Sequence, residues 1–218
     1  PKQFISFIYY LKDSELIYKN NEISDLTNLI IRNLINKPFY FWSLIWVNLS
    51  FNSLLFNWWN GFPKGDYNYS QIIHLLSIFY GKNNSSIKGA YQSLVGTFER
   101  TPIGSELKQG IVKKQGRGRI VIKEGDPDIP PEVIVYNLYM FAEKYNKYNL
   151  NIQEIEYLDG SPQKIFTITS HKVENLLKTI SNTNFFDVVY EKNSYSIQLN
   201  PQLNKLDVLK YSGGFHEV

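Results

Sequence analysis

The sequence predicts a mainly helical α+β fold, in which an N-terminal helical region precedes a winged-helix-like C-terminal half. Apolar residues recur at helical spacing through the first hundred residues. After Pro102, apolar and polar residues alternate and glycines interrupt them, which is typical of strands and turns. Farther along, two helical stretches precede a strand–turn–strand pattern. We therefore predict a helical domain with an aromatic core over residues 1–100 and a winged-helix-like domain with a basic hairpin over residues 101–218.

Four stretches of the N-terminal region have the spacing of amphipathic helices, and a fifth stretch is apolar throughout. Ser24 and Ser70 are suitable N-caps, while Pro38 and Gly81 mark the ends of helices. We therefore predict that this region is almost entirely helical. The predicted helices cover residues 4–17, 24–36, 69–82 and 85–101, and the apolar stretch covers residues 39–59.

The apolar stretch at residues 39–59 is long enough to cross a lipid bilayer. Asn48, Asn52 and Asn57 interrupt it, however, and no basic flank follows it. We therefore predict one buried helix or two short ones in the protein core rather than a membrane span. No stretch resembles a signal peptide. Together these features predict a cytoplasmic protein without a membrane partner.

The composition excludes several kinds of catalytic site. The sequence has no cysteine, so disulfides, thiolate catalysis and cysteine-ligated zinc are excluded. Its three histidines lie far apart and lack metal-ligand spacing. One local group of acids could hold Mg²⁺, Glu154, Glu156 and Asp159 beside Lys164, but its spacing favours solvated turn residues. No catalytic residue, cofactor or metal ligand is predicted, and Mg²⁺ is expected only if the chain cuts DNA.

The segment KKQGRGRIVIKEG, residues 113–125, concentrates positive charge in a predicted hairpin. A strand rather than a helix follows its glycines, so it is neither a dinucleotide fingerprint nor a P-loop. In a hairpin, Arg117 and Arg119 lie on one face because side chains alternate with a period of two. Such a face suits a phosphate backbone, and an ordinary charged turn is the alternative. The candidate nucleic-acid-binding residues of this region are Lys108, Lys113, Lys114, Arg117, Arg119 and Lys123.

The C-terminal half has the element order of a winged helix. Helical patterns at residues 132–145 and 170–182 flank the stretch GSPQKIFTI, which is predicted to be a turn that enters a strand. The second helix takes the position of a recognition helix, and a hairpin over residues 186–199 takes the position of the wing. Its candidate DNA contacts are His171, Lys172 and Lys178. The same arrangement of elements also occurs in protein-interaction modules. For His171, the alternative to a phosphate contact is an ordinary surface residue without a binding role.

Four segments resemble motifs of a bacterial family of nominally unknown function. ISFIYYLKDSELI is similar to the family's early helix, and FWSLIWVNLSF is similar to its aromatic core segment. TPIGSELKQGIVKK and DGSPQKIFTIT are similar to a P-L-x-E-L-G-L-I segment and to a G-S-P-G turn. The order and spacing of these segments agree over nearly the whole chain. The sequence differs from the family in three ways. Gln163 stands where the family's turn has its second glycine, and residues 106–111 have an altered register relative to the E-L-G-L-I motif. The family usually has a further N-terminal helix-rich stretch that this sequence lacks.

The resemblance implies a role in bacterial defence. Members of the family are encoded beside phosphoadenosine-phosphosulfate-reductase-like proteins in DNA phosphorothioation and phage-defence clusters. The nicking subunit of the single-strand, Ssp-type phosphorothioation system is related to them. The resemblance implies partners of this kind for the chain, and it carries over no catalytic residue.

Three functions follow as hypotheses. The first is a DNA-binding subunit that positions a duplex or a single strand for a sulfur-transferring partner. The second is a metal-dependent DNA nickase of the same system. The third is a protein-interaction scaffold, for which Trp42, Trp46, Trp58 and Trp59 supply a candidate partner surface or a surface for homo-oligomer formation. Burial in the core is the alternative for most of these tryptophans.

Overall fold

The computed structural model describes residues 2–33, 36–81, 84–116, 118–181, 183–191 and 194–211. It has a mixed α+β architecture in which helices predominate, as predicted. The helices are α1 (Lys2–Asp13), α2 (Asp25–Asn33), α3 (Pro38–Asn52), α4 (Leu54–Asn60), α5 (Tyr69–Tyr80), α6 (Asn84–Arg100), α7 (Pro102–Ser105), α8 (Pro131–Tyr145), α9 (Pro162–Phe166), α10 (Ser170–Lys178) and α11 (Lys205–Tyr211). The strands are β1 (Gly65–Asn68), β2 (Ile111–Gln115), β3 (Gly118–Lys123), β4 (Asn149–Asn151), β5 (Phe186–Glu191) and β6 (Ser194–Leu199).

The apolar stretch at residues 39–59 forms two helices. Ser53 adopts an extended conformation between α3 and α4, and the two helices are bent by 103° at this break. All eight residues of α3 from Ser43 to Ser50 are buried. Across the described ranges no single helix is long and apolar enough to cross a membrane, and α3 and α4 reach that length only as a bent pair. The alternative of two short buried helices is therefore the correct one.

The first three-stranded sheet combines the predicted basic hairpin with a strand from the N-terminal region. Its strand order is β1-β3-β2, and both pairings are antiparallel. Gly65 pairs with Lys123 and Tyr67 with Val121. The prediction that the first hundred residues are almost entirely helical is therefore wrong at β1. This strand is only four residues long, so its alternation is too short to stand out in the sequence.

The second three-stranded sheet belongs to the C-terminal half. Its strand order is β4-β6-β5, again with antiparallel pairing. The stretch predicted to enter a strand forms α9 instead, because Ser161 caps the helix by accepting a hydrogen bond from the Lys164 amide and Pro162 occupies the first turn. The order α8, β4, α9, α10, β5, β6 is the one expected of a winged helix, and that identity stays a prediction. The sequence patterns had not predicted α11.

One hydrophobic core joins the two predicted regions. The Trp46 indole donates a hydrogen bond to the Ile165 carbonyl at 2.8 Å. The Tyr136 hydroxyl donates to the Asn48 side chain at 2.9 Å, and both residues are fully buried. These contacts connect α3 with α8 and α9. The division into domains at residues 100 and 101 stays a prediction, and the core is continuous across it.

Candidate nucleic-acid interface

The β2–β3 hairpin exposes part of the predicted basic cluster. Lys113 and Lys114 are exposed on β2, where Lys113 pairs with Ile120 and Lys114 with Arg119. Because neighbouring residues of a strand point to opposite faces, Lys113 lies on one face of the sheet and Lys114 lies with Arg119 on the other. Arg117, predicted to share the face of Arg119, is outside the described residues. The hairpin therefore presents positive charge from both of its faces.

Arg119 is linked to the neighbouring helix α6. Its guanidinium donates a hydrogen bond to the Glu99 carboxylate at 3.0 Å, and the two side chains are 53% and 42% exposed. An ion pair this exposed contributes only about 0–1 kcal/mol, since water and salt screen it. Arg119 is thus held in place weakly enough to exchange Glu99 for another anion.

Lys123 is in the core rather than on the hairpin surface. It is 1% exposed, and its ammonium donates hydrogen bonds to the carbonyls of Trp59, Asn60 and Phe62 at 3.1, 3.4 and 2.8 Å. Burial, together with the smaller effect of the nearby positive charge of Lys164, lowers the pKa of Lys123 to about 7. A nucleic-acid phosphate cannot reach this group in the folded protein, so Lys123 has to be removed from the candidate set.

A second basic group lies between the hairpin and α10. Lys108 is exposed, and its carbonyl accepts hydrogen bonds from the amides of Glu124 and Gly125, which close the loop after β3. The Lys172 ammonium donates to the Asp126 carboxylate at 2.8 Å and to the Pro127 carbonyl at 2.9 Å. The pKa of Asp126 is lowered mainly by the hydrogen bond from Lys172, and to a smaller extent by the charges of Lys64 and Lys108. Three lysines therefore surround one carboxylate at the base of the hairpin.

Helix α10 presents a polar stripe to solvent. Thr169 caps the helix by accepting a hydrogen bond from the Lys172 amide. Val173 and Leu177 are buried and fix the rotation of the helix. On the opposite face His171, Asn175 and Lys178 are exposed, and the His171 ring lies 3.0 Å from the Asn175 amide. Asn175 was missed in the sequence, although it lies four residues after His171 and so on the same face of a helix.

The candidate acids of the nickase hypothesis are engaged separately. Asp159 accepts a hydrogen bond from Lys164 at 2.7 Å, and Glu156 accepts one from the Ser170 hydroxyl at 2.9 Å. Glu154 is 3.9 Å from the Lys147 ammonium. Among the residues that the structure describes, no group of three or more His, Asp or Glu side chains could hold a metal ion. No metal-ligand set is therefore assigned.

The four tryptophans of the scaffold hypothesis belong to the core. Trp46 and Trp59 are fully buried, and Trp42 and Trp58 are half-buried against the same cluster. The Trp59 indole donates a hydrogen bond to the Gln109 carbonyl at 2.7 Å. Burial, the alternative stated from the sequence, therefore describes their position.

Comparison with known proteins places the chain in a family and identifies similar folds. The model of the family DUF4007, described as "Protein of unknown function", matches residues 102–211, about half of the chain. A crystal structure of SspB is similar over 94% of this chain and 73% of that protein, with 14% sequence identity and a TM-score of 0.67. A magnesium ion-bound SspB crystal structure is similar over 80% of this chain and 59% of that protein, with 12% identity and a TM-score of 0.58. No curated protein matches the sequence.

Proposed function

We propose that this chain, which belongs to the DUF4007 family, is a DNA-binding subunit of a bacterial DNA phosphorothioation and anti-phage defence system. It positions DNA for a sulfur-transferring partner, for which a phosphoadenosine-phosphosulfate-reductase-like protein is the expected type. The fold it shares with SspB supports the proposal, because the Ssp name agrees with the Ssp-type system that the sequence resemblance implies.

The observation that carries the proposal is the polar stripe of α10 beside positive charge. His171, Asn175 and Lys178 form one exposed face of a helix whose opposite face is buried. An exposed helix of this kind fits the DNA major groove, where an asparagine amide pairs with adenine and a lysine with guanine or phosphate. Lys172 lies in the first turn of the same helix and pairs with Asp126, and the charge of Lys108 acts on the same carboxylate.

The β2–β3 hairpin supplies the contacts that carry no sequence information. Lys113 and Lys114 lie on opposite faces of β2, and Arg119 lies across from Lys114. Contacts to phosphates fix the register of a protein on DNA, while contacts to base edges select the sequence. In this proposal the hairpin holds the backbone and α10 enters the groove.

The test is fluorescence anisotropy with a short labelled duplex across a salt series. Lys113→Glu/Lys114→Glu is compared with Lys19→Glu/Lys37→Glu, which changes the net charge equally at exposed lysines elsewhere. We expect the plot of log affinity against log salt to be shallower by about 2 in the hairpin variant, at roughly 0.9 per lost phosphate contact, and unchanged in the control. His171→Ala/Lys178→Ala should weaken binding as well.

Two results would contradict the proposal. If the wild-type chain binds neither duplex nor single-stranded DNA at low salt, the chain by itself is not a DNA-binding subunit. If Lys113→Glu/Lys114→Glu and Lys19→Glu/Lys37→Glu lose the same affinity and have the same salt slope, DNA binding depends on the net charge of the protein and not on the hairpin.

The nickase hypothesis has one observation in its favour, which is the magnesium ion in a solved structure with the same fold. It is tested by conversion of supercoiled plasmid to open circle with and without Mg²⁺. Nicking that needs Mg²⁺ and survives substitution of Glu154, Glu156 and Asp159 by alanine would locate the chemistry elsewhere in the chain. The absence of nicking would leave DNA positioning as the function.

A further inference from the structure

An open cleft of about 900 Å³ runs along α6 beside the β2–β3 hairpin. A smaller cavity of about 340 Å³ shares Glu99 and Arg119 with it and extends to Lys114 on β2. The cleft thus continues from the helix onto the basic hairpin. The residues that line it and matter here are Tyr91, Ser93, Gly96, Glu99, Arg100 and Arg119.

The part of the cleft that α6 lines includes a row of small residues on one face of the helix. Gly89, Ser93 and Gly96 are spaced four and three residues apart, while Leu94 and Phe98 bury the opposite face. A Cβ atom placed on Gly89 or Gly96 would meet nothing within 4 Å. Packing therefore does not require glycine at these positions, although glycine is less favourable than alanine inside a helix. Their use leaves room for another molecule to approach the helix.

The walls of the cleft carry an excess of positive charge. Arg100 is exposed, and its guanidinium has no hydrogen-bond or ion-pair partner among the described residues. Arg119 contacts Glu99 through an exposed ion pair, and Lys114 is exposed at the far end. Three cations thus face one carboxylate, so the cleft suits an anionic ligand.

An aromatic ring pair adds a stacking surface. Tyr91 lines the cleft, and its ring meets the ring of Tyr69 edge-on at 4.8 Å between centroids and 83° between planes. Tyr69 is 45% exposed. The Tyr91 hydroxyl is close enough to Arg119 and Glu99 for both charges to influence its pKa, which burial raises. The Tyr91 ring, the Arg119 guanidinium and the small residues of α6 therefore line the same cleft.

We propose that this cleft binds single-stranded DNA. Arg100 and Arg119 contact successive phosphates, Glu99 gives up Arg119 to the strand, and the face of Tyr91 supports a base. Aromatic rings beside a basic groove are the combination by which proteins hold single strands without strong sequence preference. The proposal rests on the function proposed above and extends it, because α10, Lys113 and Lys114 hold duplex while Tyr91, Arg100 and Arg119 in the α6 cleft hold an unpaired strand.

The test measures anisotropy of a short labelled oligothymidylate with the full chain, beside the labelled duplex. We expect Arg100→Ala to weaken single-strand binding about fivefold to tenfold and to reduce the salt slope by about 0.7, with duplex binding little changed. The matched control is Arg32→Ala, since Arg32 is also exposed in the last turn of its helix. Tyr91→Leu should weaken binding about tenfold, and Tyr157→Leu, at a highly exposed tyrosine, should not.

The most decisive variant is one expected to bind single-stranded DNA more tightly than wild type, because a misfolded protein would not gain affinity. Glu99→Gln removes the acid that lines the cleft among the described residues and frees Arg119, so single-strand affinity should rise about threefold. An affinity that falls or stays constant in Glu99→Gln, together with equal effects of Arg100→Ala and Arg32→Ala, would overturn the cleft assignment. Tighter binding of a ribo-oligonucleotide of matching sequence would overturn its assignment to DNA.

The outcomes separate the two proposals. Binding of duplex but not of oligothymidylate would overturn the cleft and leave the proposed function standing. Binding of oligothymidylate that depends on Arg100, without any binding of duplex, would support the cleft and remove the role of α10 in a duplex groove. Failure of both ligands to bind would overturn both proposals.

Discussion

The central strands β3 and β6 have the same pairing pattern but fill their inner faces in different ways. Each is the second strand of a hairpin, and each also pairs with a short strand on its other side. Along β6 the inward residues Tyr195, Ile197 and Leu199 are all buried. Along β3, Val121 has the same position as Ile197, but a lysine, Lys123, takes the place of Leu199.

The difference follows from what each strand end meets. Lys123 lies against the C-terminal end of α4, where the carbonyls of Trp59, Asn60 and Phe62 converge on its ammonium. Free carbonyls at a helix C-terminus attract a positive charge. One sheet is therefore held by apolar contacts, whereas the other is joined to a helix end by the hydrogen bonds of a buried lysine. Strand topology alone does not determine which side chains fill a core.

The largest expected effect comes from replacing the buried lysine by an acid. Lys123→Glu places a carboxylate, which can only accept hydrogen bonds, against three carbonyl oxygens. We expect the free energy of unfolding to fall by about 4 kcal/mol or more, because an unpaired charge is buried there. Lys113→Glu, on the same hairpin but exposed, should change it by less than about 0.5 kcal/mol. Urea denaturation measures the free energy of unfolding of both variants. If Lys123→Glu changes it as little as Lys113→Glu does, Lys123 does not hold β3 at the end of α4.

The next effect is a pH dependence with a defined sign. The folded-state pKa of Lys123, about 7, is below the unfolded value of about 10.4. The unfolded state therefore binds more protons between these values, and stability must rise with pH in this window. From pH 7 to pH 9 we expect a gain of about 2 kcal/mol in wild type relative to Lys123→Met. A difference between the two chains that is constant over this range would contradict the burial of a titrating lysine.

The smallest effect concerns the contact that joins the β3 loop to α10. Lys172 and Asp126 form a pair whose side chains are 29% and 50% exposed. Lys172→Ala should lower the free energy of unfolding by less than about 1 kcal/mol, because solvent screens such a pair. Asp126→Asn should have a similar effect, and a double-mutant cycle gives the coupling between them. A loss above about 2 kcal/mol would mean that α10 depends on this pair for its position.

Much of the fold could be predicted from the sequence because its signals are local. Helical spacing and glycine turns identified most helices and both hairpins. Ser24 accepts a hydrogen bond from the Thr27 amide as expected of a cap, but Asn68 rather than Ser70 caps α5. The strand β1 and the short helix α9 were missed, since four or five residues hold too little periodicity to overcome their context. Ser161 followed by Pro162 was the available signal for α9, as a cap followed by a first-turn proline.

The candidate site was predicted in part. Lys113 and Lys114 were placed correctly in the hairpin, because strand alternation describes both sides of it. Lys123 was assigned to the surface because Val121 and its neighbours Ile120 and Ile122 are all apolar, so the sequence does not indicate which face of β3 is buried. The α6 cleft was not predicted either, since it depends on the position of the hairpin beside a distant helix.

The pairing of β1 with β3 has a practical consequence for work with fragments. Residues 102–211, the part that matches the family, do not include β1. A fragment of this length would leave one edge of β3 with unpaired amide and carbonyl groups. It would also lack α5 and α6, which pack against β3 and β2. Exposed edges of this kind pair with one another between molecules, so such a fragment would aggregate. A chain that also retains residues 38–101 keeps the edge occupied and these helices in place.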